Sequence, residues 1–188
     1  MTAQLRRCWN TTEPLYVRYH DEEWGVPVHD DRKLYEFLVL DAFQAGLSWW
    51  LILKRREVFR TAFDGFDPLE VANYGYADLE RILNTTGMIK NKAKIASAVT
   101  NAQSFLEIQQ EYGSFDHYIW QFVNGKTITN SYRNLSELPC ESPESKAMSN
   151  DLKSRGFKFV GPTICYAFMQ AAGLVNDHLL DCLRHRQV

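Results

Sequence analysis

Two cysteines and two histidines stand near opposite ends of this sequence in positions where they could hold a metal ion. Cys8 and His20 lie near the N-terminus, and His178 and Cys182 lie near the C-terminus as His-x3-Cys. On a helix, that four-residue spacing puts both C-terminal side chains on one face. A Cys2His2 set suits tetrahedral Zn2+. Four protein ligands leave no open position, so such a metal would be structural and would pin both ends of the chain to its body. The other reading has Cys8 as a surface thiol and His20 as a hydrogen-bonded pocket residue. Spacing leaves both open, because nothing local joins the two half-sites. Cys140 and Cys165 lack histidine partners. Cys165 sits among Ile164, Tyr166 and Phe168 and reads as core. His29, His117 and His185 read as surface residues.

A second grouping is aromatic. Trp9, Tyr16, Tyr19 and Trp24 fall within one short segment. Asp41 lies among Leu38, Val39, Leu40, Ala42 and Phe43, and Gln44-Ala45-Gly46-Leu47-Ser48-Trp49-Trp50 follows. A carboxylate on such an apolar run is exposed, paired or lining a pocket, because unpaired burial is costly. Rings around one carboxylate favour a flat cationic ligand through cation–π attraction and charge pairing. Rings that are merely core, with Asp41 facing solvent, remain an equal alternative at this point.

A third is a glycine-bounded turn, Gly156-Phe157-Lys158-Phe159-Val160-Gly161, followed by Pro162 at a helix start. Glycine at both ends permits a tight reversal with positive φ. The turn aims the free N–H groups of the next helix outward, where they suit a phosphate. Gly156, Lys158 and Gly161 are therefore candidate DNA contacts. Lys153 and Arg155 lie beside them. The clusters Lys90-Lys92-Lys94 and Lys54-Arg55-Arg56-Arg60 read either as DNA contacts or as solvated helix faces.

Helical periodicity supplies the elements that must position these groups. Asp30 to Lys33 start a helix carrying Leu34, Phe37, Leu38, Asp41 and Ala42. Ser48 caps a second helix over 49–63. Further helices are predicted over 68–74, 77–84, 92–112, 115–123, 145–155 and 162–172, with a short helical segment around 177–185. Strand signals are poor, and Lys126 to Thr129 alone alternates. Residues 124–143 read as a connector between lobes. The fold class is all-α, in a single domain over 1–188 with a helix-hairpin-helix at about 149–175.

The 188 residues carry a net charge of -2, which disfavours binding nucleic acid by charge alone. The N-terminal residues, Met1 to Arg7, lead into no apolar stretch, and no run approaches a membrane span. A cytoplasmic, reducing setting is expected, with the cysteines as thiols, core residues or metal ligands. Nothing favours an oligomer, so a monomer is expected.

Together these segments closely resemble the 3-methyladenine DNA glycosylase I family, within the helix-hairpin-helix glycosylases. The resemblance is carried by Tyr19-His20-Asp21-Glu22-Glu23-Trp24-Gly25-Val26-Pro27, by Gln44 to Trp49, by Lys54-Arg55-Arg56-Glu57, by Arg155 to Cys165 and by Gly173 to His178. It runs from about Cys8 to Cys182. It implies an all-α enzyme with one structural zinc held by Cys8, His20, His178 and Cys182. It implies a base pocket of Trp9, Tyr16, Tyr19, Trp24, Trp49 and Asp41, with Asp41 as the acting carboxylate. It places Leu47 in the loop pushed toward the gap left by a flipped base. The implied partner is double-stranded DNA with alkylated bases, and the implied reaction is monofunctional excision of 3-methyladenine. A non-catalytic helix-hairpin-helix DNA-binding module is the alternative, and a zinc hydrolase with an open metal position is a third reading. The chain departs from the best-known members twice. They carry Glu where this chain has Asp41, whose carboxylate reaches about 1.5 Å less. They also insert a glycine between the residues matching Cys8 and Trp9.

Overall fold

The Asp30 carboxylate accepts the backbone N–H of Lys33 at 2.8 Å and so caps the helix Asp31–Gln44, α2. Leu34 through Phe43 are all buried, so this helix must be wrapped by others rather than laid on a surface. The computed structural model describes residues 6–188 and shows that wrapping. Residues 1–5 of the N-terminal segment read above lie outside the described residues. Around α2 pack Trp49–Leu53 (α3), Lys92–Tyr112 (α7), Phe115–Trp120 (α8) and Pro162–Ala171 (α10). Pro14–Glu22 (α1) lies against α3. Arg56–Ala62 (α4), Pro68–Ala72 (α5), Tyr76–Asn84 (α6) and Pro143–Ser154 (α9) complete the helices. The fold is mostly helical. Among the described residues, none of its helices is long and apolar enough to cross a membrane. Cys165 is buried, as expected, and Cys140 is exposed.

Several expectations need correction. The segment 49–63 is not one helix. Arg55 leaves helical geometry, and its guanidinium instead donates to the carbonyls of Leu51 and Gly87, which ends α3. The segment 177–185 is not helical either. Its backbone turns to distant partners: Leu180 N–H donates to Tyr132, Arg6 N–H to Asp181 and Leu183 N–H to Arg6. His178 and Cys182 therefore do not share a helical face. Residues 124–143 are more than a connector. They contain strand β1, Ile128–Thr129, paired in parallel with β2, Val175–Asn176, which adds a small sheet to the helices. His185 is half-buried, with Nε2 3.0 Å from the Asn130 carbonyl. His29 and His117 are exposed, as expected.

Helix α1 was hidden from periodicity because its inner face is Tyr16, Tyr19 and His20, residues that read as chemistry rather than as a core stripe.

One close approach locks α10 to the start of the chain. Gly173 has φ +73°, and a Cβ there would lie 2.3 Å from the Val26 carbonyl carbon and 2.4 Å from the Pro27 nitrogen. Both are backbone atoms that cannot turn aside. Gly173→Ala combines a left-handed conformation with overpacking, so a loss of about 3 kcal/mol or more is expected in a denaturant midpoint measurement.

Candidate ligand cavity and metal centre

The two ends of the chain meet at four side chains. The ligand atoms of Cys8, His20, His178 and Cys182 all lie within 4.8 Å of one another, and all four residues are buried. Cys182 Sγ is 3.5 Å from His20 Nε2 and 3.4 Å from His178 Nδ1, and Cys8 Sγ is 3.5 Å from His178 Nδ1. A tetrahedral Zn2+ with ordinary Zn–S and Zn–N bonds separates sulfur from nitrogen by about 3.5 Å. The donor set fits such an ion. The remaining ring nitrogens are already fixed: His20 Nδ1 pairs with Asp21 at 2.8 Å, and His178 Nε2 lies 2.9 Å from the Trp24 carbonyl. That is the outer support metal-binding histidines require. Backbone N–H groups of Leu179 and Arg184 point at the Cys8 and Cys182 sulfurs. The two thiols share a hydrogen bond that pushes the Cys182 thiol down and the Cys8 thiol up.

Rings that lean on this cluster line a cavity of about 180 Å³. Trp24 meets His178 edge-on at 4.6 Å, and Trp9 meets His20 edge-on at 4.9 Å. Trp9 in turn contacts Tyr16 and Trp24 at 4.7 and 4.8 Å, and Tyr19 contacts Trp49 at 5.1 Å. The structure thus brings Trp9, Tyr16, Tyr19, Trp24, Asp41 and Trp49 to one cavity. The tighter Cys8–Trp9 loop still delivers Trp9 to its wall.

Asp41 reaches the cavity from α2. It is 2% exposed, and its Oδ2 has no hydrogen-bond partner among the described residues. The contrast with Glu36 on the same helix is instructive. Burial pushes both carboxyl groups upward. Glu36 ends below its usual range, because Arg56 donates to it at 2.7 Å with Lys33 and Arg60 beside it. Asp41 ends well above its usual range, with burial opposed only by the more distant Arg56 charge. Tyr19 is likewise raised, by burial and then by Asp41, so its hydroxyl stays protonated. The Trp49 indole nitrogen is also buried without a partner. An apolar cavity with orphaned polar atoms is built for a guest that supplies their partners.

Outside the cavity, Leu47 is exposed at the end of α2 and Lys158 at the hairpin. Helix α7 fixes both loops. Lys94 is buried and donates to the carbonyls of Phe43 and Ala45, with Nζ 5.9 Å from the Phe159 ring. Asn101 clamps Lys158 through its backbone, donating at 3.0 Å and accepting at 2.8 Å. Ser104 donates to Arg155 O. The glycines differ from expectation. Gly156 has positive φ, but Gly161 is extended at the N-cap of α10, and the second left-handed residue is Phe159. Space in front of Gly161 is open. Several candidate bases are occupied internally: Arg155 by Glu111 and Asp151, Arg56 and Arg60 by Glu36, and Lys94 by carbonyls.

Sequence reasoning did not single out Gln44, Leu138, Ala167 and Gln170, which also line the cavity. Leu138 lies in the supposed connector. Ala167 and Gln170 lie three apart on α10, and an amide on so apolar a helix was the signal available.

Asp41→Asn should stabilise the protein. With its folded carboxyl raised, stability is full below the unfolded value near pH 4 and falls as pH rises toward the folded one. The variant's melting temperature should match the native protein's near pH 4 and exceed it increasingly above. At neutral pH we expect a gain of about 1–3 kcal/mol, at roughly 2–4 °C each.

Comparison with known proteins agrees with this geometry. The sequence profile of the methyladenine glycosylase family matches residues 9–185. The chain is 46% identical over 179 residues to DNA-3-methyladenine glycosylase 1 of Escherichia coli K12, covering 95% of this chain and 96% of that protein. It superposes on a crystal structure of 3-methyladenine DNA glycosylase I with TM-score 0.92 and 47% identity, covering 95% and 98% of the two chains. A second such enzyme, a variant in complex with 3-methyladenine, gives TM-score 0.91 and 37% identity over 97% of each chain. The chain belongs to the methyladenine glycosylase family.

Proposed function

We propose that this protein excises 3-methyladenine from alkylated double-stranded DNA by hydrolysing the N-glycosidic bond, leaving an abasic site and an intact strand. The observation that carries this reading is Asp41, a buried carboxyl with an unpartnered oxygen in a cavity walled by aromatic rings. The same catalytic unit spans 1–188, supported by one hydrophobic cluster that runs from Cys8 to Cys182. All the residues named on the cavity wall come from one chain, so the proposed chemistry requires no second copy, and a monomer is part of the proposal.

N3-methylation leaves the base positively charged while it is attached to the sugar. In the cavity that charge meets the rings and Asp41. The cation favours the ionised carboxylate, so capture releases the proton that burial holds there. Asp41 accepts from the amino edge of the base, and Tyr19 and Trp49 stack on its faces, with Trp9, Tyr16 and Trp24 closing the cage. Water attacks C1′ of the sugar while the C1′–N bond opens. The bonding pair goes to the base, which leaves neutral, and the water's spare proton goes to solvent. A good leaving group needs no strong general acid. Unmodified adenine brings no charge and would leave Asp41 uncompensated, so it is rejected. Flipping costs a few kcal/mol and less at a damaged pair.

Leu47 fills the gap left in the duplex. Gly156, Lys158 and Gly161 bring α10 to the backbone, where the Thr163 and Ile164 amides of its first turn meet a phosphate. Cys8, His20, His178 and Cys182 would hold one structural Zn2+. Four filled positions leave it no water to activate, which disfavours the hydrolase reading.

Two measurements test this. Incubation with methylated DNA should release free 3-methyladenine. Asp41→Asn should fall by about tenfold or more while remaining folded. No released base from the native protein would refute the proposal, and native-level release by the variant would refute the role of Asp41. Cys182→Ser should lose one equivalent of zinc with S2N2 coordination at the metal edge, and should lower both melting temperature and base affinity, because Trp9 and Trp24 lean on the ligand histidines.

A further inference from the structure

Gln170 lines the same cavity from α10, and its side chain is not free to turn. Its Nε2 donates to Asp177 Oδ2 at 2.8 Å. Asp177 is 1% exposed and receives two further donors: Tyr166 OH at 2.8 Å on Oδ2 and Asn130 Nδ2 at 2.7 Å on Oδ1. All three side chains hydrogen-bonded to this carboxyl among the described residues are donors. The amide of Gln170 has donors only on its nitrogen, so the nitrogen must face Asp177 and the carbonyl Oε1 is left over. The backbone of Gln170 is fixed as well, its carbonyl accepting from Gly25 N–H at 2.9 Å. Gln44 also lines the cavity, but among the described residues its amide has no such anchor.

We propose that Gln170 is a specificity-determining residue that presents Oε1 as a fixed acceptor to the exocyclic amino group of the bound base, with Asp177 as the positioning residue behind it. The inference rests on the base-capture reading above and deepens it. An adenine amino group has two N–H donors, and in a dry cavity each needs an acceptor. Asp41 takes one and Gln170 takes the other. A base with a carbonyl at that position sets oxygen against oxygen at Gln170 and leaves Oε1 unpaired, whereas Asp41, which keeps its proton beside a neutral base, donates to that carbonyl, so Gln170 alone carries the discrimination. Selection for the amino group then adds to selection for charge and does not depend on it. The free, neutral base shows it in isolation.

The test is the ratio of affinities for free 3-methyladenine and free 3-methylhypoxanthine, which carries a carbonyl in place of the amino group. Quenching of cavity tryptophan fluorescence reads each affinity, and thermal denaturation checks folding. The native protein should prefer 3-methyladenine by about tenfold or more. Gln170→Met keeps the bulk and removes the acceptor, and should reduce that ratio severalfold. Asp177→Asn gives the Gln170 amide an acceptor or a donor to face, lets it turn, and should shift the ratio toward 3-methylhypoxanthine with Gln170 still in place. A merely structural role would weaken both bases alike. An unchanged ratio in either folded variant overturns the inference while leaving base capture standing. A native protein that binds neither base overturns base capture and this inference with it.

Discussion

The meeting of Cys8 and His20 with His178 and Cys182 is the constraint on which the rest of the site depends. Three of these four residues are attached to a cavity element. Trp9 follows Cys8 directly, Tyr19 precedes His20, and the Trp24 carbonyl and ring both touch His178. Without that closure the N-terminal segment would be an end of chain with little to hold it, since α1 is short and has no side-chain N-cap. Short helices are marginal alone, and α1 carries two of the cavity rings. With the proposed metal bound, the donor cluster would do for this segment what a disulfide does in an oxidising setting.

Against that rigid cage stands a deliberate local misfit. Helix α2 buries two acids. At Glu36 the protein supplies Arg56, Arg60 and Lys33, and the charge is comfortable. At Asp41, five residues further on, it supplies only rings and space. Removing that carboxylate's charge would make a more stable protein and a poorer trap for a cation. Such conflicts between stability and local satisfaction concentrate where a ligand is meant to resolve them. Asp177 illustrates the opposite solution, a buried carboxyl saturated with donors, which makes it a fixed support rather than a receptor.

The sequence revealed the chemistry more readily than the geometry. The aromatic residues around Asp41 were conspicuous because they exceed what an apolar stripe needs, and the long helices α2, α7 and α10 followed from ordinary periodicity. What periodicity missed has physical reasons. His178 and Cys182 have helical spacing, yet the backbone around them, at Leu180, Asp181 and Leu183, pairs with Tyr132 and Arg6, partners remote in sequence. Leu138 lines the cavity from a polar, interrupted stretch whose path is set by β1 pairing with β2. Gln170 is legible only once Asp177 is known to stand behind it. Local pattern reports what a segment does with its own backbone, and these are decided by other segments.

The surface around Leu47 explains how a chain of net charge -2 can be suited to a polyanion. Several of its basic residues face inward: Arg155, Arg56 and Lys94 spend their charge on carboxylates and carbonyls of the protein itself. Their work is positional. Lys94 ties off the C-terminal carbonyls of α2 just before the Leu47 loop and sits beneath Phe159, while Asn101 and Ser104, further along α7, hold the hairpin by its backbone. One rigid helix thus sets the distance between the Leu47 loop, proposed to enter a duplex, and the start of α10, proposed to meet its backbone. A site organised this way draws on fixed amide dipoles more than on mobile lysines. Its DNA affinity should therefore owe comparatively little to counterion release, and much to the preset spacing of two loops along α7.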